Sequence, residues 1–202
     1  MGETDLRGYS LAFARDIISA KMGPYSSALP PIYAKYAGKY LAVASPGRGV
    51  EHLHGDWGPR AVMIAEFPDV AAVDGFWWGP EYRAAAKLRE GAVKVDAGRL
   101  AGRAAGTKDQ AVLVVALRVA DRSRAADALR EAAASAAGAT LLAPVSDDAL
   151  ETLEGDFAGH AVGILSFADL DAARAGWQAM LPALQARATS LQAYALPRTP
   201  GG

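Results

Sequence analysis

The chain has no cysteine among its 202 residues. Disulfides, thiolate nucleophiles and zinc–sulfur sites are therefore excluded. Neither sign of charge predominates, with 21 Lys plus Arg against 22 Asp plus Glu. Such a balance supplies no electrostatic footprint for nucleic acid or for an anionic membrane surface. No run of about 18 apolar residues suggests a membrane span. The opening stretch MGETDLRGYS has no basic region followed by an apolar one, so no leader peptide is expected there. A soluble, cytoplasmic protein is the expectation. Also missing are a GxGxxG after a strand, a GxxxxGK[ST], a GxSxG and an HExxH. Nucleotide-binding, hydrolase-elbow and zincin readings fall with them.

What is present is a repeat. Residues 53–77, LHGDWGPRAVMIAEFPDVAAVDGFW, align without a gap on residues 153–177, LEGDFAGHAVGILSFADLDAARAGW, with 10 of 25 positions identical. The same offset places Ala37-Gly38 on Ala137-Gly138 and Leu41 on Leu141. A fixed period over this length means two copies of one structural unit.

Pattern and turn chemistry give each copy the same order of elements. In the first copy, strands are expected at 9–18, 39–44, 50–56, 60–67 and 92–96. A first helix is expected over about 19–37, broken by Pro24 and Pro30-Pro31 and capped at its C-terminus by Gly38. A second helix, capped by Asp69, runs over about 70–90 with a break at Gly79-Pro80. In the second copy, strands are expected at 111–119, 139–143, 160–167 and 190–196, and helices at 121–137 and 169–188. The result is an α+β protein of two ferredoxin-like βαββαβ units, residues 1–97 and 111–202, joined by a linker at 98–110. A four-stranded sheet with helices on one face leaves the other face bare. Two such faces in one chain pack sheet to sheet, as an internal pseudo-dimeric α/β barrel. Whether the chain is a monomer or a homodimer is left open.

The first copy resembles the bacterial family known as domain of unknown function 1330, in the dimeric α/β-barrel superfamily. The likeness is carried by IYAKYAGKYL (32–41), GDW (55–57), IAEFPD (64–69) and GPEYRAAAKLREGA (79–92), over about residues 8–97. The second copy has lost the PEY segment, reading AMLPALQARA at 179–188, and has ASAAGATLL at 134–142. It is a diverged half of the barrel. The resemblance implies the fold. The superfamily spans cofactor-free monooxygenases, polyketide-type cyclases, decarboxylases, isomerases and some haem proteins, so it does not select a reaction.

Candidate site residues come from the segment EHLHGDWGPR (51–60) and its neighbours. Alternation along a strand puts His52, His54 and Asp56 on one face. Two imidazoles and a carboxylate could bind a metal, serve as acid–base or substrate contacts, or be plain edge residues. The second copy keeps Asp156 but has Thr152 and Glu154 in place of the histidines, which favours a hairpin role for Asp56 and no metal site. His160, aligned with Arg60, is expected to meet solvent. Glu66 interrupts an apolar strand where the second copy has Ser166. Arg15 is read as its ion-pair partner or as an anchor for a carboxylate or enolate oxygen. Trp78, Tyr82, Tyr25 and Tyr36 are candidate substrate walls, while Trp77, matched by Trp177, reads as core.

These groups are present in the first copy and missing at the aligned positions of the second, which points to one pocket, between the sheet and helices of the first copy. The expected activity is that of a cofactor-independent enzyme on a small apolar, aromatic or polyketide-like metabolite, with His54, Glu66 and Arg15 catalytic and His52, Trp78, Tyr82, Tyr25 and Tyr36 in contact with substrate. Cyclisation, isomerisation, dehydration or decarboxylation would suit such a set, in secondary metabolism. The alternatives are a non-catalytic small-molecule binder, and a monooxygenase or haem protein with His54 or His160 as ligand.

Overall fold

Successive residues of a strand point to opposite faces, and here the central strands are covered on both. In the computed structural model, which describes residues 6–145 and 150–200, β1 (Leu6–Arg15) sends Tyr9, Leu11 and Phe13 into one core and Ala12 into another. The opening stretch read for a leader lies partly outside the described residues. In β6 (Ala111–Val119), Val112, Val114 and Ala116 enter the first of these cores, while Leu113, Val115 and Leu117 enter a third. Burial on both faces explains why AVLVVALRV reads as an unbroken apolar run and not as an alternating one.

The remaining strands are β2 (Lys39–Pro46), β3 (Gly49–His54), β4 (Ala61–Phe67), β5 (Lys94–Arg103), β7 (Thr140–Ala143), β8 (Glu151–Glu154), β9 (Ala161–Phe167) and β10 (Ala188–Pro197). They form one ten-stranded sheet in the order β7-β9-β6-β10-β3-β2-β4-β1-β5-β8. The expected α+β class and internal pseudo-dimeric barrel are what forms. The central core draws residues from both units, Leu41 and Ile64 with Leu142 and Ile164 among them. Between the edges, Gly102 of β5 lies on the Leu142 carbonyl of β7, where a Cβ would come within 2.7 Å.

Each unit also lends one strand to the other. β3 pairs with β10, and β8 pairs with β5. Helix α5 (Leu170–Gln185) holds the lent β3 through a two-pronged bond from Arg174 to Glu51, at 2.8 and 2.6 Å. Arg89 of the first unit holds β8 in the same way, with both nitrogens on the Glu154 carboxylate. β8 carries no sequence signal that anticipates it, because at four residues it is stabilised by pairing partners and not by its own pattern.

The helices are α1 (Gly23–Lys35), α2 (Val70–Trp78), α3 (Pro80–Lys87), α4 (Ala125–Ala133) and α5. Asp69 and Asp169 cap α2 and α5 by accepting the Ala72 and Ala172 N–H groups at 2.7 and 2.8 Å. Gly79 is extended and Pro80 opens α3, so the expected break is present.

Three local expectations need correction. Pro30 and Pro31 sit inside α1. The carbonyls they leave unbonded belong to Ser26 and Ser27, which are exposed and reach water. Gly38 is not the left-handed residue after α1, since Ala37 takes that conformation at φ 50. Gly38 is needed for clearance instead, as a Cβ there would come within 2.4 Å of the Phe67 ring. Residues 98–103, read as linker, continue β5.

Candidate ligand site

The two loops that carry the repeated Gly-Asp-aromatic segment, β3–β4 and β8–β9, join strands that do not pair with each other and lie at one end of the barrel. Gly55 (φ +104) packs so tightly on Gln192 that a Cβ would come within 1.9 Å of its Oε1. Gly155 (φ +71) packs on Asp96 in the same way, at 2.5 Å from Oδ1. Gln192 accepts the Trp57 N–H at 3.0 Å and donates to Asp56 at 2.7 Å. Asp96 accepts the Asp156 N–H at 3.2 Å. Each unit's last strand thus latches the other unit's loop; the expected hairpin is absent, and Asp56 accepts from the Gln192 side chain while Asp156 accepts the Ala158 N–H at 2.6 Å. The following aromatics turn inward, with Trp57 and Phe157 at 5.3 and 6.1 Å from the Phe13 ring.

Behind Trp57 lies a polar layer. Arg60 stacks on the indole at 4.5 Å and donates to Asp96 at 2.9 Å. His160 meets the indole edge-on at 5.0 Å. The expectation that His160 meets solvent is wrong: it is 2% exposed, with its ring nitrogens at 2.6 Å from the Phe157 carbonyl and 2.9 Å from the Ser190 hydroxyl. Strand β9 starts inside the latch and not on the rim. Burial pushes its pKa below the usual histidine value; neighbouring Arg118 acts the same way, while the Phe157 carbonyl, Asp56 and Asp156 oppose it.

The unfolded chain then binds a proton at His160 more readily than the folded one. The stability contributed by neutral His160 is present above about pH 6.5 and is lost as pH falls from there toward the depressed folded pKa. Melting temperatures between pH 8 and pH 5 should fall toward acid, and His160→Gln should flatten that slope whatever its effect at pH 8.

The proposed catalytic trio is not brought together. Glu66 is buried and accepts from the Tyr9 hydroxyl at 3.1 Å, with Lys39 Nζ at 3.9 Å. Burial and the Glu66 charge push the Tyr9 pKa up. Glu66 stands opposite Tyr9 in register, six residues along β1 from Arg15, or about 20 Å. Arg15 is therefore not its partner. His54 lies against Trp177 of the second unit at 5.6 Å, and His52 against Tyr194 at 5.1 Å. A register shift at Ala193/Tyr194 breaks the alternation that would have aligned the two. Neither the metal nor the haem arrangement is favoured, since both His160 nitrogens are engaged and His52 and His54 meet different rings. Among the described residues no three His, Asp or Glu side chains are grouped to hold a metal.

The expected aromatic walls fill space instead of lining it. Tyr82 packs between Phe76 and Trp77 at 4.7 and 4.6 Å, and its hydroxyl meets that of Tyr25 at 3.4 Å. Tyr36 lies over Gly75 and Gly79, in the notch of the α2–α3 break. Trp78 is 52% exposed, with Arg83 over its ring. These short helices are joined to each other and to the sheet by aromatic packing.

The open surface of the first unit lies further along the sheet. An apolar groove of about 370 Å³ runs over Ala12, Ala14, Val43, Ala61 and Met63. It shares Ala14, Ser45, Arg48 and Ala61 with a polar cleft of about 590 Å³ that adds Arg15, Asp16 and Trp57. The equivalent sheet face of the second unit is filled. Tyr9 pairs with Glu66 and Val112 with Ser166, so β1 maps on β6 at an offset of 103. Val115 and Leu117 then replace Ala12 and Ala14, and both are fully buried with Leu129 of α4. Arg118 is the counterpart of Arg15, hidden from the ungapped repeat by the three-residue shift. The arginine is therefore retained in both copies. In the second it donates to the Ala158 carbonyl at 3.5 Å, whereas in the first it faces the cleft.

Arg15 Nη1 is buried without a hydrogen bond, 3.5 Å from an Asp96 oxygen that Arg60 already occupies at 2.9 Å. Trp57 belongs to the repeated Gly-Asp-aromatic segment, but no motif marks Arg48 or the alanines, and only the lack of large residues at 12, 14 and 61 could have hinted at the latter. Among the described residues no helix is long and apolar enough to cross a membrane.

Residues 7–102 match the family model described as Domain of unknown function (DUF1330). No curated protein matches the chain. Among solved structures, an anthrone oxidase-like protein is similar at TM-score 0.54 and 11% identity, over 98% of this chain and 92% of that one. A candidate monooxygenase from Fusobacterium nucleatum is similar at TM-score 0.55 and 10% identity, over 98% and 94%. A chlorite dismutase from Candidatus Nitrospira defluvii is similar at TM-score 0.54 and 8% identity, over 98% and 92%. These identities speak for the fold alone. The first unit thus resembles the DUF1330 family over residues 7–102, and the whole chain builds a dimeric α/β-barrel fold whose two halves lie in one polypeptide.

Proposed function

We propose that the chain is a small-molecule binding protein whose site is the groove and cleft on the first unit. One observation carries this reading. On the sheet face shared by Ala12 and Ala14, the first unit has a groove with buried Ala12 at its floor and Ala14 part-exposed, while the equivalent Val115 and Leu117 are fully buried in the second. The combined space falls within the range of small-molecule sites, roughly 300–1,000 Å³. Binding without chemistry is favoured over the cyclase, isomerase or lyase reading because His54 and Glu66 both lie away from this surface.

The second reading, acid–base catalysis, rests on Asp16. Its backbone is held at φ 56 at the rim beside Arg15. Its hydrogen bond to Lys94 holds its carboxyl below the usual range, so it can only act as a base at neutral pH.

The double variant Ala12→Val with Ala14→Leu installs the second unit's residues in the first and tests both readings. The protein is dialysed against a cell extract of small molecules and the retained compounds are identified by mass spectrometry. Retention of a compound class by the native chain and its loss in the variant support the site. Recovery of the compound unchanged supports binding, and conversion lost in Asp16→Asn supports catalysis. Equal retention by both proteins overturns the site.

A further inference from the structure

We infer that the ligand is an amphipathic monoanion: an apolar body lying in the groove, with a carboxylate or comparable anionic head at Arg15 and Arg48. This rests on the site reading above and adds the ligand's chemical class. The groove and the cleft are one continuous surface, joined through Ala14, Ser45, Arg48 and Ala61. Its inner part is lined by alanine methyls, Val43 and Met63, and Val43 is 50% exposed with nothing over it. That part has no charged group to satisfy a polar body. Its outer part carries two guanidinium groups and one carboxylate. The carboxylate, Asp16, is already taken by Lys94 at 2.7 Å. Arg15 and Arg60 share the single Asp96 carboxylate, at 3.5 and 2.9 Å, with the Arg15 side chain 40% exposed, and Arg48 has no side-chain partner among the described residues.

The charge excess at the mouth is therefore positive, and a guanidinium is the group best shaped to hold an oxyanion head through paired N–H donors. The second unit supplies a control within the same chain. There the equivalent arginine, Arg118, bonds a main-chain carbonyl and the equivalent sheet face is filled. The first unit lacks both features, so cation and apolar surface are left open together. Neither a neutral apolar molecule nor a small hydrophilic anion would use both halves.

The experiment is calorimetric titration with octanoate, octanol and acetate, each below its micelle or solubility limit, on the native chain, on Arg15→Gln with Arg48→Gln, and on the Ala12→Val, Ala14→Leu variant. Octanoate is expected to bind at least tenfold more tightly than either octanol or acetate. The arginine variant should lose that tenfold preference for octanoate over octanol, and the groove variant should lose both alkyl ligands. Octanol binding as well as octanoate would overturn the anionic class while leaving the site in place. Binding of all three probes unchanged in the groove variant would overturn class and site together. Light scattering closes the remaining route. A stable dimer that Val43→Asp dissociates would mean that a second copy covers the groove, and would overturn the inference.

Discussion

Phe13→Ala is expected to destabilise the chain by about 3–5 kcal/mol, the usual cost of removing a fully buried aromatic side chain. Its ring is the point where the two units meet at the end of the barrel that carries the β3–β4 and β8–β9 loops. It contacts Trp57 of one loop, Phe157 of the other and Tyr194 of the last strand, at 5.3, 6.1 and 5.4 Å. The equivalent place in β6 is Ala116, by the same offset of 103. One large residue from one unit therefore serves the end of a barrel that two identical units would build with a pair. Urea unfolding should give a lower midpoint and an unchanged slope if the units still unfold as one. A variant that unfolds in two steps would show that Phe13 also couples the units. A loss below about 1 kcal/mol would mean that neighbouring rings collapse into the space, against the tight packing of this cluster.

The second large effect is expected at Gly55. Gly55→Ala puts a side chain at φ +104, where strain of about 1–3 kcal/mol is usual. It also drives a methyl into Gln192, at a further cost of about 1–3 kcal/mol for overpacking. The displaced Gln192 would release both the Trp57 N–H and the Asp56 carboxylate. Gly47→Ala is the comparator, because Gly47 also has a positive φ (+73) but nothing within 4 Å of the place an added methyl would take. It should show the backbone cost alone. If the two variants lose equal stability by chemical denaturation, the latch contributes nothing and the repeated Gly-Asp pair needs another explanation.

The latch also shows how far the repeat could be read in advance. That Gly-Asp-aromatic occurs in both copies pointed to a turn, but not to strands that part company after it. The residues that catch the two loops, Asp96 and Gln192, could not be found that way. They differ between copies and belong to strands that align at another offset. Glu66 was recognisable as a charge in an apolar strand, but its partner was not. Ion pairs across a sheet depend on register, and the register of β1 on β4 places Tyr9 beside Glu66 and leaves Arg15 at the far end. The tyrosines and tryptophans of α1, α2 and α3 looked the same in sequence whether they lined a pocket or filled a seam. Composition sets how much aromatic surface there is, and packing sets which part of it stays open.

By itself the sequence determined the duplication, the α+β units, the helix cap at Asp69, and the break at Gly79-Pro80. These follow from local rules: strand and helix periodicity, capping by carboxylates, and the missing N–H of proline. Only the tertiary structure decided where a ligand could sit. Two strands exchange between the units, a bulge separates His52 from His54, and a three-residue offset pairs Arg15 with Arg118. The groove exists because Leu117 is packed into the core under the second unit's helices while Ala14 is left part-exposed. A periodic pattern records that a residue faces a given side of a strand. It carries no information about what lies on that side, because that is set by segments distant in the chain.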